Sequence, residues 1–192
     1  MACEYSGVVR DAFLARGHEA VSCDLLPTES DGPHIQGDVL GVLNEGWDMM
    51  IAHPPCTHLA VSGAAWFYRK AKEQAEALEF VGRLLDAGIP RIALENPVSI
   101  ISTRIRKPDQ IIQPWQYGEP HQKTTCLWLK ELPKLTPTQV VEPQFVTMKN
   151  GKRMSKWHYD SFVNLKPSER AHARSRTFEG IAQAMADQWG SL

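Results

Sequence analysis

The sequence predicts an α/β domain in which a mostly parallel, twisted sheet carries helices on both faces. Three observations lead to this prediction. Short apolar runs alternate with segments of helical periodicity, as in sheets built from parallel strands. The chain has 192 residues, 43% of them hydrophobic, which is enough for one sizeable core and too few for two. Several apolar runs also end in turn or acidic residues. We therefore expect residues 1–192 to form a single domain.

The first hundred residues contain five short apolar segments that we interpret as strands. They are residues 1–4, residues 20–23, a segment that stops at 37–39, residues 47–52 and residues 91–94. The first helix follows Ser6-Gly7, because apolar residues recur at helical spacing from Val8 to Leu14 before Gly17 ends it. A second helix spans 74–87, where an apolar stripe runs up to the stop signal Gly88-Ile89-Pro90.

The second half of the chain gives weaker signals. Residues 123–130 alternate like a strand, and residues 178–189 have the pattern of an amphipathic closing helix. Between them, prolines at 133, 137, 143 and 167 predict loop with short strands at best. We interpret residues 132–176 as a reduced, proline-rich and basic insertion.

Charge is distributed unequally along the chain. Residues 1–100 hold 7 Lys and Arg against 14 Asp and Glu, whereas residues 101–192 hold 14 against 8. Basic residues cluster at 149–156 and 170–176, which suits a phosphate-bearing partner, although ordinary solvated loop charge explains them equally well.

The composition also indicates a compartment. The sequence has no apolar run long enough to span a membrane, and its opening residues lack a secretory pattern. The four cysteines are widely spaced without a C-x-x-C pair, which favours reduced thiols over disulfides or a zinc site. We expect a cytoplasmic protein that does not associate with membranes.

Polar residues follow the predicted strands at the points where a parallel sheet binds its ligands, outside the carboxyl ends. These residues are Ser6-Gly7, Asp24, Asp38, Cys56 and Glu95. Asp24 is placed to accept hydrogen bonds from ribose hydroxyls, and a plain surface turn is the equal alternative. Pro54 and Pro55 form a stiff extended elbow that projects Cys56 away from its strand.

Five short blocks on these strand ends resemble, in order and spacing, those of the cytosine-C5 DNA methyltransferases that use S-adenosylmethionine. The blocks are Tyr5-Ser6-Gly7, Asp24, Gly37-Asp38-Val39, Pro54-Pro55-Cys56 and Glu95-Asn96-Pro97. They are similar to the family's F-x-G cofactor turn, its acidic ribose position, its G-D-I block, its Pro-Cys loop and its E-N-V block. Together they cover most of the first hundred residues.

The resemblance implies a Rossmann-like methyltransferase fold, S-adenosylmethionine as cofactor, and roles for particular residues. Cofactor binding would fall to Tyr5, Ser6, Gly7, Asp24, Leu25, Asp38, Val39 and Pro54. Catalysis would fall to Cys56 and Glu95, assisted by Lys123. Lys123 lies in His121-Gln122-Lys123-Thr124-Thr125, which resembles the family's Q-x-R-x-R block without its arginines.

The chemistry of cytosine methylation needs residues of these types. C5 of a pyrimidine is a poor nucleophile until a thiolate adds to C6, and Cys56 can supply that thiolate. Negative charge then builds toward N3 and O2, where a carboxylic acid relieves it. We expect burial to raise the pKa of Glu95 so that it can act as this acid.

The substrate stays open, because DNA-modifying members of this family carry a recognition domain of roughly 100 residues or more, the size of a small domain. The 132–176 segment is much shorter, so the substrate is duplex DNA, a single strand or a free cytidine nucleotide, or a partner protein or second copy supplies recognition. Substrate contacts are expected from Pro55, Asn96, Lys149, Lys152, Arg153, Lys156, Arg174 and Arg176.

Three further interpretations fit parts of the sequence. An amino-methyltransferase also places prolines after this strand, but it needs an aromatic residue where Cys56 stands. A degenerate methyltransferase fold that only binds nucleic acid or nucleotide fits the absent glycines and arginines. A metal site at His53, Cys56 and His58 is the weakest, since it lacks a fourth ligand.

Overall fold

The computed structural model describes the backbone of residues 1–192, and the side chains of all except Ala65, Trp66, Pro167, Ser168 and Ala171. It is a mixed α/β structure. The strands are β1 (Ser22–Asp24), β2 (His34–Gln36), β3 (Met49–Ala52), β4 (Arg91–Pro97), β5 (Gln110–Ile112), β6 (Thr125–Lys130), β7 (Phe145–Thr147) and β8 (Arg153–Ser155). The helices are α1 (Val8–Leu14), α2 (Ala71–Leu85), α3 (Ile101–Arg104), α4 (Lys156–Asn164), α5 (Pro167–Ser175) and α6 (Glu179–Trp189).

The central sheet is mixed, with four strands in the order β3, β4, β6, β5. β3 and β4 are parallel, and β6 runs antiparallel to both of its neighbours. β1 and β2 form a separate parallel pair. Ala2 makes parallel bridges to Cys23 in β1 and to Ala52 in β3, so the opening segment joins the pair to the four strands. Read across the molecule, the order is β2, β1, Ala2, β3, β4, β6, β5.

Buried side chains pack on both faces of this sheet. On one face, Ile51 and Leu127 lie in a cluster with residues of α1 and α6 that include Phe13 and Trp189. On the other face, neighbouring strand residues form a second cluster with Val81 and Leu84 of α2. Because successive side chains of a strand point to opposite faces, each strand supplies both clusters. The expected helices on both faces are therefore confirmed.

Most elements predicted in the first half are present with shifted ends. α1, α2, β1, β3 and β4 all occur, and the third strand is β2, which ends just before the predicted stop. The prediction for residues 1–4 was wrong in extent, since only Ala2 makes sheet bridges there. In the second half, β6 and α6 confirm the predicted strand and closing helix.

Four other elements of the second half were missed, and one of them is the short helix α3. β5 has only three residues, and α4 and α5 lie where loop was predicted. α4 exposes Phe162 and Val163, with 63% and 57% of their surface accessible, so its apolar residues do not form the buried stripe on which sequence periodicity depends. Tertiary contacts rather than periodicity define this helix.

Candidate active site

A cleft of about 1010 Å³ lies at the carboxyl ends of the parallel strands. Its walls come from the residues after Ala2, from the end of β1, from 53–57 after β3 and from 95–98 at the end of β4. Residues 122–124 before β6 complete this side. Parallel strands bring their carboxyl ends to one edge of a sheet, which explains why segments far apart in sequence meet here.

The elbow that carries Cys56 is fixed from two sides. The buried Asn96 side chain donates a hydrogen bond from Nδ2 to the carbonyl oxygen of Pro54 over 2.9 Å. The Cys56 carbonyl accepts hydrogen bonds from the amides of Leu59 and Ala60, and Leu59 is fully buried. These contacts turn the chain after the prolines and leave Cys56 exposed on the cleft wall as a free thiol.

The surroundings of Cys56 favour the protonated thiol. Desolvation raises the pKa of Cys56, and the negative charge of Glu95 raises it further. The positive charges of Lys123 and Arg174 act in the opposite direction and do not overcome these effects. In the free protein, the thiolate is therefore the minor form at neutral pH.

Glu95 lies across the cleft wall on β4 and pairs with a histidine. Its Oε2 is 3.4 Å from Nδ1 of His53, and the two side chains are 16% and 8% exposed. Burial by itself raises the pKa of Glu95, but the hydrogen bond with His53 and the charge of Lys123 lower it by more. The expectation of a raised pKa was wrong, because it counted burial without these two partners.

Lys123 connects the strand ends to the C-terminal half of the chain. Its Nζ donates hydrogen bonds to the carbonyl oxygens of Arg174 over 2.8 Å and Arg176 over 3.4 Å. The same ammonium lies 5.8 Å from the ring centre of Trp157 and 5.5 Å from that of Phe178. Lys123 lines the cleft, and its charge acts on both Cys56 and Glu95.

Residues 172–177, which we call the cleft strap, wall the cleft opposite the strand ends. Ser175 Oγ is 2.9 Å from Tyr5 Oη, and the rings of His172 and Tyr5 are 5.7 Å apart. His172 and Arg176 both pair with Glu29. The strap thus contacts both the turn near Tyr5 and the side chain of Lys123.

Half of the predicted cofactor residues line the cleft: Tyr5, Ser6, Asp24 and Pro54. The other half do not. Val39 is buried in the core, Leu25 is 71% exposed, and exposed Asp38 accepts the Leu40 amide at the start of a 3-10 turn. Gly7 has φ of 74°, and a Cβ there would meet Ser30 Oγ at 2.1 Å. Backbone conformation and packing thus explain why residue 7 is a glycine.

Half of the predicted substrate residues also line the cleft. Pro55, Asn96, Arg174 and Arg176 line the cleft. Lys149, Lys152 and Arg153 lie on the hairpin of β7 and β8, and Lys156 begins α4, where it pairs with Asp160. Ser155, between hairpin and helix, is itself a lining residue, so this basic group stands next to the cleft rather than inside it.

Several lining residues were not predicted. They are chiefly His53, Gln122, Trp157, His158 and His172. His53 directly precedes the two prolines, so its position was visible in the sequence, but its pairing with Glu95 depends on how β3 and β4 pack. Trp157 and His158 belong to α4, whose pattern gave no signal.

Other sequence expectations bear on the kind of site. All four cysteines are free thiols, as expected. Among the described side chains, no three His, Cys, Asp or Glu residues come together in a way that could hold a metal ion. Among the described helices, none has both the length and the apolar character needed to cross a membrane.

Comparison with known proteins adds no relative, since no family model, curated protein or solved structure matches the chain. The residues that line the cleft, and their geometry, are therefore the basis for assigning a function.

Proposed function

We propose that this chain is an S-adenosylmethionine-dependent methyltransferase with a doubly wound, Rossmann-like fold. The strand order supports this proposal. In a doubly wound sheet of order 3-2-1-4-5-6, ligands bind where the order reverses, between the first strand and the fourth. With the Ala2 segment as first strand, β2, β1, Ala2, β3 and β4 follow the same order, and the cleft opens beside Ala2 and β3.

More specifically, we propose that the enzyme methylates C5 of cytosine through a covalent adduct on Cys56. The observation that carries this proposal is one cleft with three matched groups: an exposed cysteine on a proline elbow, a carboxyl group on the next strand, and a lysine whose charge reaches both. Amino methylation needs no thiol and no such acid.

The residues present fit the adenosyl half of the cofactor. Asp24 Oδ1 accepts the Leu26 amide over 2.9 Å, and among the described residues Asp24 Oδ2 has no partner, so it is available to ribose hydroxyls. Leu26 and Pro54 provide apolar surface in the same part of the cleft. When bound, S-adenosylmethionine supplies an electrophilic methyl group.

The amino-acid half of the cofactor would be held differently from the family pattern. Glu4 is 4% exposed, and its carboxylate accepts the amides of Val9 over 2.6 Å and Arg10 over 3.2 Å at the start of α1. These amides are therefore occupied by a protein carboxylate. Tyr5 and Ser6 line the cleft beside Glu4, where Tyr5 Oη contacts Ser175 Oγ and Ser6 Oγ contacts Glu4 and the Val8 amide.

In the proposed reaction, the Cys56 thiolate forms a bond to C6 of cytosine, and the electron pair of the C5–C6 double bond moves toward N3 and O2. Glu95 gives a proton to N3, which removes the charge and leaves C5 nucleophilic. After C5 is methylated, a solvent water molecule in the open cleft takes the C5 proton, and the electron pair of that C–H bond re-forms the C5–C6 double bond. The C6–S bond breaks and restores the thiolate, and N3 returns its proton to Glu95. Lys123 stabilises the anionic forms of both catalytic groups.

The resting protonation states differ from the reactive ones by the position of one proton. The free protein favours a Cys56 thiol with a Glu95 carboxylate, whereas the reaction needs a thiolate with a carboxylic acid. The two arrangements have the same net charge. A pyrimidine that fills the cleft desolvates Glu95 further, which raises its pKa and favours the reactive arrangement.

The test is methyl transfer from labelled S-adenosylmethionine to duplex DNA, single-stranded DNA and cytidine nucleotides, assayed side by side with product identification. We expect 5-methylcytosine, and covalent trapping of the wild-type protein by 5-fluorocytosine in the accepted substrate. Cys56→Ser should abolish both signals while the melting temperature stays within about 2 °C of the wild type. An N-methylated product, or activity retained by Cys56→Ser, would refute the mechanism.

The three substrate arms decide how the base is presented. The cleft strap walls the side opposite the strand ends, and its contacts with Tyr5 and Glu29 lie at the surface. A base must leave a duplex to enter such a cleft. We therefore expect unpaired cytosine to be methylated faster than cytosine in a duplex.

A further inference from the structure

We infer that His53 is a positioning residue for Glu95, which orients the carboxyl group and holds the proton that Glu95 passes to a pyrimidine. This inference rests on the proposed function and adds a group that neither the motif resemblance nor the mechanism above contains. Its basis is the contact of 3.4 Å between His53 Nδ1 and Glu95 Oε2.

The position of His53 is fixed by its backbone. Its amide donates a hydrogen bond to the carbonyl oxygen of Ala2 over 2.9 Å, and Pro54 and Pro55 follow immediately. The side chain is 8% exposed and lines the cleft. A buried imidazole on so rigid a segment has little freedom to turn away from Glu95.

The second ring nitrogen gives an independent observation. His53 Nε2 is buried and has no hydrogen-bond partner among the described residues. Buried polar atoms normally have partners, so the Nδ1 contact with Glu95 is the one side-chain hydrogen bond that orients this ring among the described residues.

The pair conserves one proton during the reaction. In the proposed relay, one proton lies between the imidazole and the Glu95 carboxylate before the substrate reacts. As the thiolate adds to C6, N3 takes a proton from Glu95 Oε and Glu95 takes one from His53 Nδ1, which leaves a neutral imidazole. The proton returns to the pair when the product is released, so no other reactant is needed.

Charged and titratable groups from three other segments face this pair. They are Cys56 on the elbow, Lys123 and Cys126 before and in β6, and Arg174 of the cleft strap, which acts on Cys56. Lys123 and a hydrogen-bond donor beside Glu95 both lower the pKa of that carboxyl group, so a Glu95 that kept both but had no imidazole beside it would hold its proton only at acidic pH. The imidazole is the second group of the pair that can carry the proton.

The experiment measures the pH dependence of kcat for methyl transfer to a cytosine-containing single-stranded oligonucleotide. Because burial and the charge of Glu95 raise the pKa of Cys56, kcat should rise with pH as thiolate forms and level off where the pair loses its proton. In His53→Asn, an amide can still bond to Glu95 but holds no titratable proton. At low pH the kcat of this variant should equal that of the wild type. Its kcat should stop rising at a pH at least one unit lower than in the wild type, so that near neutrality it is about tenfold or more below the wild-type value.

Two further variants test whether the effect is specific to the His53–Glu95 contact. His53→Ala removes the hydrogen bond as well, which raises the pKa of Glu95, so its curve should level off at higher pH than that of His53→Asn. The plateau of kcat should be about 100-fold lower because the carboxyl group is no longer oriented, with the KM for S-adenosylmethionine changed less than threefold. His58→Asn is the matched control, since His58 lies on the same loop and has no contact with Glu95 among the described side chains. It should keep the wild-type curve.

The outcomes separate the two proposals. If wild-type protein forms the 5-fluorocytosine adduct and His53→Asn follows the wild-type curve, or lies below it by one constant factor at every pH, His53 holds no proton and this inference is overturned while the function stands. If wild-type protein forms no adduct and transfers no methyl group, the proposed function fails first. Convergence at low pH with divergence near neutrality supports both.

Discussion

Glu95→Gln is the most informative single change, because it tests whether the carboxyl group and the thiol face each other before any substrate is added. The substitution keeps the shape of the side chain and removes one negative charge. That charge is the second cause of the raised pKa of Cys56, after desolvation. The variant should therefore lower the pKa of Cys56.

The size of the effect follows from Coulomb's law. A thiol and a carboxyl group that bridge one pyrimidine ring stand about 8 Å apart, which at an effective dielectric constant of about 20–40 corresponds to roughly 1–2 kcal/mol. One pKa unit is about 1.4 kcal/mol, so the midpoint should fall by about one unit. Because Cys56 is exposed, solvent screens the interaction, and we expect the decrease in its pKa to lie toward the lower end of this energy range.

The assay is the rate of Cys56 alkylation by iodoacetamide as a function of pH, with the modified peptide quantified by mass spectrometry. Below both midpoints, Glu95→Gln should react roughly 3- to 10-fold faster, since more thiolate is offset in part by lower nucleophilicity. Asp24→Asn is the matched control, because it removes a carboxylate from the same cleft that acts on Cys3 and not on Cys56. An unchanged or higher midpoint in Glu95→Gln would refute the facing arrangement.

Two further predictions follow from the same structure. Lys123→Met removes a positive charge that lowers the pKa of Cys56, so its alkylation midpoint should move to higher pH; a shift to lower pH would contradict the placement of Lys123. Gly180→Ala should destabilise the fold by about 3 kcal/mol and lower the melting temperature by about 6–12 °C, because a Cβ there would lie 1.8 Å from the carbonyl oxygen of Tyr117. Gly82→Ala, in an uncrowded position of α2, should be neutral or slightly stabilising, and equal effects of the two would exclude steric crowding as the cause.

The arrangement of charge explains why the free protein should be chemically quiet. Its thiol is protonated and its carboxyl group is ionised, which is the reverse of what the proposed chemistry needs. A cysteine of this kind resists oxidation and stray alkylation, because only the thiolate reacts readily. The reactive arrangement would then be populated mainly when a pyrimidine fills the cleft.

Strands β1, β3, β4 and β6, and the polar residues near the carboxyl ends of β3 and β4, could be predicted from the sequence. β3 and β4 are apolar runs, and the residues that follow or end them, Cys56 and Glu95, were predicted to meet because parallel strands align their carboxyl ends. The two prolines fixed the exit from β3 through local backbone sterics alone. Such features depend on residues close together in sequence, and so they can be read from it.

Tertiary structure alone decided the protonation states and the far wall of the cleft. His53 and Glu95 are 42 positions apart and Tyr5 and Ser175 are 170 apart, and no periodic pattern encodes either contact. The pKa of Glu95 depends on the balance between desolvation, which raises it, and the contacts with His53 and Lys123, which lower it. The sequence indicated which groups were present, whereas only packing determined which neighbours each group met and therefore which form it takes.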